Sequence, residues 1–399
     1  MDDHTVQEPT GSMPGRAGLI ALLLCTLFPM LGLFAIGVAL PVVAQTFADH
    51  PRADLLAQLI GGAAGLAFAI SSPVMGILAD RFGFRQIYVA SLIGFALLGA
   101  LPALLDNLPL IVITRFFFGI TVAGALTAGM AGLGTLPPEM RAKMFGRNAV
   151  LTSLGAVITF PLVGALAAQS WRYPFLLYLI ALLMVPLALT LDPQMRPAPI
   201  PKSEVAVAGK GMGIDLGVSP GLLMIAAFIG LTMYVGPVFA PFYVIEIGVT
   251  DPRLAALPMS AMSIASLLTA SIYGRLHKRF GTTQIFGAIM ALVGCGLVGA
   301  GFATNLPLFI AAMVMVGSGL AMFTPNLGTY ITSHSANPAR GIGWAMSAIF
   351  AVQVAFPFIV EAIKGAFGPA SVLLSLGSIA LILAIAFAVK GWRRDRSPA

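Results

Sequence analysis

Gly76-Ile77-Leu78-Ala79-Asp80-Arg81-Phe82-Gly83-Phe84-Arg85-Gln86 is a short charged stretch set between two long apolar segments. It returns as Gly274-Arg275-Leu276-His277-Lys278-Arg279-Phe280-Gly281-Thr282-Thr283-Gln284. Both glycines, the Leu, the Arg-Phe pair and the Gln recur at one offset, 198 residues. The same offset carries Asn107-Leu108-Pro109-Leu110 onto Asn305-Leu306-Pro307-Leu308, and Gly119 onto Gly317. One spacing shared by three separate features means two similar halves in tandem.

Composition says where such a chain can live. Of its 399 residues 58% are hydrophobic and only 9% charged, with a mean hydropathy of +0.96. A water-soluble domain carries about 25% charged residues to solvate its surface. This chain cannot cover a water-facing surface, and a polytopic membrane protein is expected. Cys25 and Cys295 lie in apolar runs with no His or second Cys at ligand spacing, so neither a zinc site nor a disulfide is expected. The polar start, with Asp2, Asp3 and Glu8, is the wrong leader for a cleaved signal peptide, and the first apolar run is read as a retained helix.

A span needs about 20 mainly apolar residues. That rule predicts about twelve, near 17–43, 54–79, 86–105, 109–132, 146–168, 173–191, 219–243, 253–273, 284–303, 307–331, 342–364 and 369–390. All but five of the 22 Lys and Arg residues then fall on one side of the membrane. Arg52, Arg172, Arg253 and Lys364 lie on the other, and Arg115 is inside. The positive-inside rule puts both termini in the cytoplasm, so the net charge of +7 is a topology signal and no nucleic-acid partner is expected. The fold class is therefore all-α, with two six-helix halves related by an axis along the membrane normal. Residues 1–16 form a cytoplasmic tail, 17–191 the first half, 219–390 the second and 391–399 a basic tail. Between the halves, 192–218 carry Pro193, Pro197, Pro199 and Pro201 and read as a flexible linker.

Two halves of six helices, with this charged stretch between the second and third, resemble the major facilitator superfamily of secondary transporters. The family's pattern there is Gly-x-Leu-Ala-Asp-Arg-x-Gly-Arg-Lys. Gly76, Leu78, Ala79, Asp80, Arg81, Gly83 and Arg85 match it, with Phe84 in place of one closing basic residue. The second copy keeps Gly274, Leu276, Arg279 and Gly281 but has Lys278 where Asp80 stands. The resemblance implies a conformational latch built from Gly76, Asp80, Arg81, Gly83 and Arg85 with Gly274, Arg279 and Gly281. Asp80 is suited to a helix N-terminus, and the helix opening near Gly341 is the expected partner.

In the fourth segment, Arg115-Phe116-Phe117-Phe118-Gly119 resembles the Arg-x-x-x-Gly pattern of proton-coupled exporters. Arg115 lies about 9 Å past Pro109 along a helix, and an ionisable group that deep is a functional candidate by default. Met313 takes its place in the second half. The fifth segment resembles the exporters' Gly-Pro-x-x-Gly-Gly pattern around Pro161, with Phe160 and Ala165 replacing two of the glycines. Phe160-Pro161 returns as Phe356-Pro357, so kinks are expected at Pro161 and Pro357.

In this family the first, fourth, seventh and tenth helices line the path. The cavity is expected to draw on Met30, Phe34, Phe118, Met233, Tyr234, Phe239, Phe323 and Asn326, with Phe160, Gln353 and Phe356 from flanking helices. Such an aromatic and Met-rich set suits a hydrophobic or amphipathic small molecule. The proton-carrier candidates are Asp54, Glu246, Glu361 and His334. No nucleotide loop and no catalytic or metal constellation is present, so the chain is not expected to be an enzyme or to bind a cofactor. The expectation is a monomeric, multi-pass transporter of the inner (plasma) membrane, driven by a proton gradient and exporting drugs or metabolites by alternating access. The alternatives are an uptake permease for an organic anion and a transport-dead sensor of the same fold.

Overall fold

The computed structural model describes residues 14–192, 218–335 and 338–394, all helices and their connections, with no strand among them. The linker prolines and the ends of both tails lie outside the described residues. Ten helical stretches are long and apolar enough to cross a membrane. The longest, Pro252–Gly301, breaks at Gly281 (φ 69°, ψ 174°) and supplies two spans. The shorter apolar helix Tyr173–Leu189 completes twelve.

In chain order these are α1 (Leu27–Thr46), α2 (Ala53–Phe82), α3 (Phe84–Leu104), α4 (Leu108–Gly134), α5 (Pro138–Gln169) and α6 (Tyr173–Leu189). The second half holds α7 (Pro220–Glu246), α8 (252–280), α9 (282–301), α10 (Leu306–His334), α11 (Pro338–Phe367) and α12 (Ala370–Arg394). Helices are what lipid demands, since every backbone group must find its partner within the segment.

Three features placed by the 198-residue offset do matching jobs. Gly83 and Gly281 both take positive φ, 93° and 69°. Asn107 and Asn305 both cap a helix, each accepting the backbone N–H three residues on at 3.0 Å. Gly119 of α4 crosses α2 so closely that a Cβ would lie 2.1 Å from the Ala64 carbonyl oxygen. Gly317 of α10 does the same against Met262 of α8, at 2.4 Å. Ala64 and Met262 are themselves 198 residues apart.

Two boundaries differ from the sequence reading. The charged stretch does not fall between the spans, as ends at 79 and 86 would have it: α2 runs to Phe82 and α3 restarts at Phe84, so Gly83 alone makes the turn. Its left-handed backbone ends one helix in a single residue, which a side chain would disfavour. The first run is also two helices, Arg16–Leu23 and α1, separated at Leu24–Thr26. Pro29 explains this, because its ring clashes with the carbonyl four residues back, that of Cys25.

The same rule explains the middle of α1 and α7. Pro41 and Pro241 displace the carbonyls of Gly37 and Pro237. α1 passes there through a π turn (Met30–Phe34) and a 3-10 stretch (Ala35–Ala39), and α7 through a π turn (Val235–Phe239). Irregular turns of this kind inside helices concentrate at functional sites.

Candidate functional site

The halves meet tightly at one end. A Cβ on Gly37 would lie 1.5 Å from the Pro237 carbonyl oxygen, so α1 and α7 touch backbone to backbone. Gly164 of α5 brings the Pro252 carbonyl to 2.7 Å from the same notional atom. Lys364 of α11 donates to Asp54 of α2 at 3.0 Å. At the other end, which carries the charged stretch, the halves stand apart. Asp80 and Arg81 are exposed, and among the described residues Asp80 forms no ion pair or hydrogen bond. Gly274, Gly328 and Gly343 have open space around them. This is a state sealed at one end, with the charged stretch exposed at the other.

Between the halves lies a cavity of about 250 Å³. Met30 and Phe34 bound it from α1, Phe160 from α5, Met233 and Pro237 from α7, and Met259 and Met262 from α8. Met30 and Phe34 are the two ends of the α1 π turn. Ser263 and Ser266 also reach the wall, but their hydroxyls donate to the carbonyls of Met259 and Met262. The lining therefore offers soft apolar surface and almost no free hydrogen-bond donor. Unbranched thioethers reshape around different ligands at little cost.

Of the expected cavity residues, Met30, Phe34, Phe160 and Met233 line this space. The others sit elsewhere. Phe118 packs on Phe95, Tyr178 and the Arg115 guanidinium inside the first half. Phe239 packs at a tilt on Tyr243, and Phe323 edge-on against Phe286, inside the second. Asn326 donates to the Thr282 carbonyl at 3.1 Å and accepts from Tyr273, bracing the turn at Gly281. Tyr234, Gln353 and Phe356 are buried at the seam between the halves. Met259, Met262 and Ser266 were absent from the expected set. Their spacing, with Ser263, follows one face of a helix and was the available signal.

Arg115 is fully buried. Its Nη2 donates to the Gly32 carbonyl of α1 at 2.5 Å and its Nε to the Ile60 carbonyl of α2 at 3.4 Å. The guanidinium lies 4.0 Å from the Phe118 ring centre and 5.2 Å from that of Tyr178. No carboxylate pairs with it among the described residues, and its Nη1 has no partner. Asp54 is half-exposed in its ion pair, Glu246 and Glu361 are exposed at the sealed end, and His334 is exposed at the opposite end, stacked on Tyr330. None of the four carrier candidates lies near Arg115. Pro161 and Pro357 both lie inside their helices.

Two six-helix halves, sealed at one end around a central cavity, are the architecture of a membrane transporter. The family model of the Major Facilitator Superfamily matches residues 22–335 and 221–399. The chain belongs to that superfamily. It is 31% identical over 306 residues to the class C tetracycline resistance protein of Escherichia coli, covering 71% of this chain and 74% of that protein. It is 23% identical over 349 residues to the multidrug resistance protein MdtG of Dickeya zeae, covering 84% of each. Among solved structures, a D-xylose-proton symporter superposes with a TM-score of 0.75 at 19% identity, covering 93% of this chain and 96% of that one.

Proposed function

We propose that this chain exports hydrophobic or amphipathic small molecules in exchange for protons, as a monomer in the inner (plasma) membrane with both termini cytoplasmic. The observation that carries this reading is the methionine-lined cavity between the halves, at a seam sealed on one side only. A pocket with so few directed polar groups selects by apolar fit, as expected of a carrier with varied cargo. The resistance proteins named above support export on the same grounds. Purified protein in liposomes with an imposed pH gradient and a panel of amphipathic solutes tests it: gradient-driven efflux is expected.

Uptake of an organic anion is a second reading, favoured by one observation, the buried Arg115 with no carboxylate partner. Gradient-driven accumulation of an anion would select it. A transport-dead sensor would bind solutes without moving any.

The latch residues act, in this proposal, when the end carrying Asp80 closes. Asp80→Asn is expected to slow the exchange between access states, measured by single-molecule FRET across that end; an unchanged exchange rate would leave Asp80 as a solvated helix end. The Asp54–Lys364 pair is partly exposed and so holds the sealed end only weakly, by about 0.2–1 kcal/mol. Asp54→Asn is therefore expected to shift the access equilibrium no more than about fivefold, because 1.4 kcal/mol is needed for tenfold.

A further inference from the structure

Behind Phe34, at the seam between the halves, the Tyr234 hydroxyl and both polar atoms of the Gln353 amide make no hydrogen bond among the described residues. On the first-half side, the Gln58 carbonyl oxygen and Nη1 of Arg115 make none either. None of these four side chains is more than 2% exposed. Native structures pair nearly all such atoms, so these call for an explanation.

Their arrangement follows from how α2 meets α11. The two helices run antiparallel in a constant register, with Asp54 against Lys364, Gly62 against Pro357, Gly65 against Gln353 and Phe68 against Phe350. Gly65 has no side chain, and a Cβ there would lie 3.3 Å from the Tyr234 hydroxyl and 3.6 Å from Gln353 Oε1. One helical turn away, Gly61 leaves the same hydroxyl 3.5 Å from its notional Cβ, and Leu33 O 3.9 Å. One peptide step back along α1 and α2, at Gly32 and Ile60, the Arg115 guanidinium is anchored. Eleven residues of helix separate Gln353 from Lys364, about 16 Å, which is the depth of the bilayer midplane.

Two donors thus face Gly65, the Tyr234 hydroxyl and Gln353 Nε2, and the cationic Arg115 is anchored at Ile60, somewhat more than one helical turn nearer the sealed end. An anionic oxygen pair is the group that such donors fit, and arginine is the side chain best shaped to hold it. We propose that Tyr234 and Gln353, backed by Arg115, form an occluded subsite for the carboxylate of an amphipathic cargo whose apolar body occupies the methionine pocket. The proposal rests on the transporter reading and names the cargo's class. Phe34 lines that pocket and meets Tyr234 edge-on at 6.3 Å, so the pocket wall on that side is the ring against which Tyr234 packs. Since Arg115 and Gln58 belong to the first half and Tyr234 and Gln353 to the second, parting α2 from α11 opens the subsite. Closing them strips its water.

The test uses the full chain in lipid nanodiscs and three probes that share one tail: decanoate, decanamide and decylamine, titrated calorimetrically against empty-nanodisc controls. Decanoate is expected to bind about tenfold tighter than either of the others, the scale of hydrogen bonds to a charged group. Tyr234→Phe and Gln353→Met are each expected to bring the decanoate-to-decylamine ratio close to one. Gln353→Met is also expected to raise the melting temperature without ligand, because it removes unpartnered buried atoms; a structural glutamine would lower it. Equal affinities in the wild type, an unchanged ratio in both variants, or ordered water alone at Tyr234 with decanoate bound elsewhere would overturn the subsite. Proton-driven flux of decylamine with no carboxylate preference removes the subsite and leaves the transporter. Preferential decanoate binding without flux of any probe removes the transporter and leaves the subsite.

Discussion

Gly37→Ala is expected to stop the two halves from closing at their sealed end. The added methyl would sit 1.5 Å from the Pro237 carbonyl oxygen, and both partners are backbone, so no flexible side chain can give way. Overpacking of this kind costs about 1–3 kcal/mol, here charged only to the sealed state. That corresponds to a shift of about 5–150-fold in the access equilibrium, well above the effect expected from the half-exposed Asp54–Lys364 pair. The measurement is the distance between spin labels at Asp49→Cys and Asp251→Cys, one in each half at that end, in a background with Cys25 and Cys295 replaced by Ala. The variant should show the long distance as its main population, and flux should fall in proportion. A distance distribution equal to that of the parent would mean that α1 and α7 do not form the seal.

Arg115→Ala is expected to reduce transport to background while expression and thermal stability stay near those of the parent. Stability survives because a lone buried cation, held by two carbonyls and two rings with Nη1 unpaired, contributes little net energy once its desolvation is counted. Transport fails because the same side chain links α1, α2 and α4 and supplies the one charge in the buried interior of the described first half. Arg115→Lys is expected to fail nearly as badly, since an ammonium cannot reach both carbonyls while stacking on Phe118. Wild-type flux in Arg115→Ala would remove Arg115 from the mechanism.

The tandem repeat was legible because it is carried by residues with one physical use each. A positive-φ glycine, a capping asparagine and a glycine at a backbone crossing cannot be replaced freely, so Gly83, Asn107 and Gly119 reappear at the same offset with the same roles. The cavity was harder to read. In a soluble helix the apolar stripe marks the buried face, but here lipid-facing and cavity-facing positions are both apolar. Leu320 and Ala321 line the cavity while Phe323, two residues on, packs inside its own half. Met30, Phe34 and Met233 could be found because their helices and residue types agreed with the family's pattern, and Phe160 because it precedes Pro161 on a flanking helix. Met259 and Met262 were missed, because a Met spacing along one face of α8 is equally that of a face packed inside its own half. Gln58 also escaped notice, since nothing in its local sequence shows that a glutamine there is buried with its carbonyl oxygen unpartnered. The depth of Arg115 past Pro109 is legible in the sequence; its full burial with no carboxylate beside it is not, because its surroundings come from α1, α2 and α6.

The direct test of export through the inter-half cavity is flux into inside-out proteoliposomes with an acidic lumen. A fluorescent amphipathic solute is expected to accumulate in the lumen against its gradient, to be released when an ionophore collapses the pH difference, and to fail to accumulate with Gly37→Ala. Equal lumenal accumulation with and without the pH gradient, or none across a broad solute panel, would contradict proton-driven export.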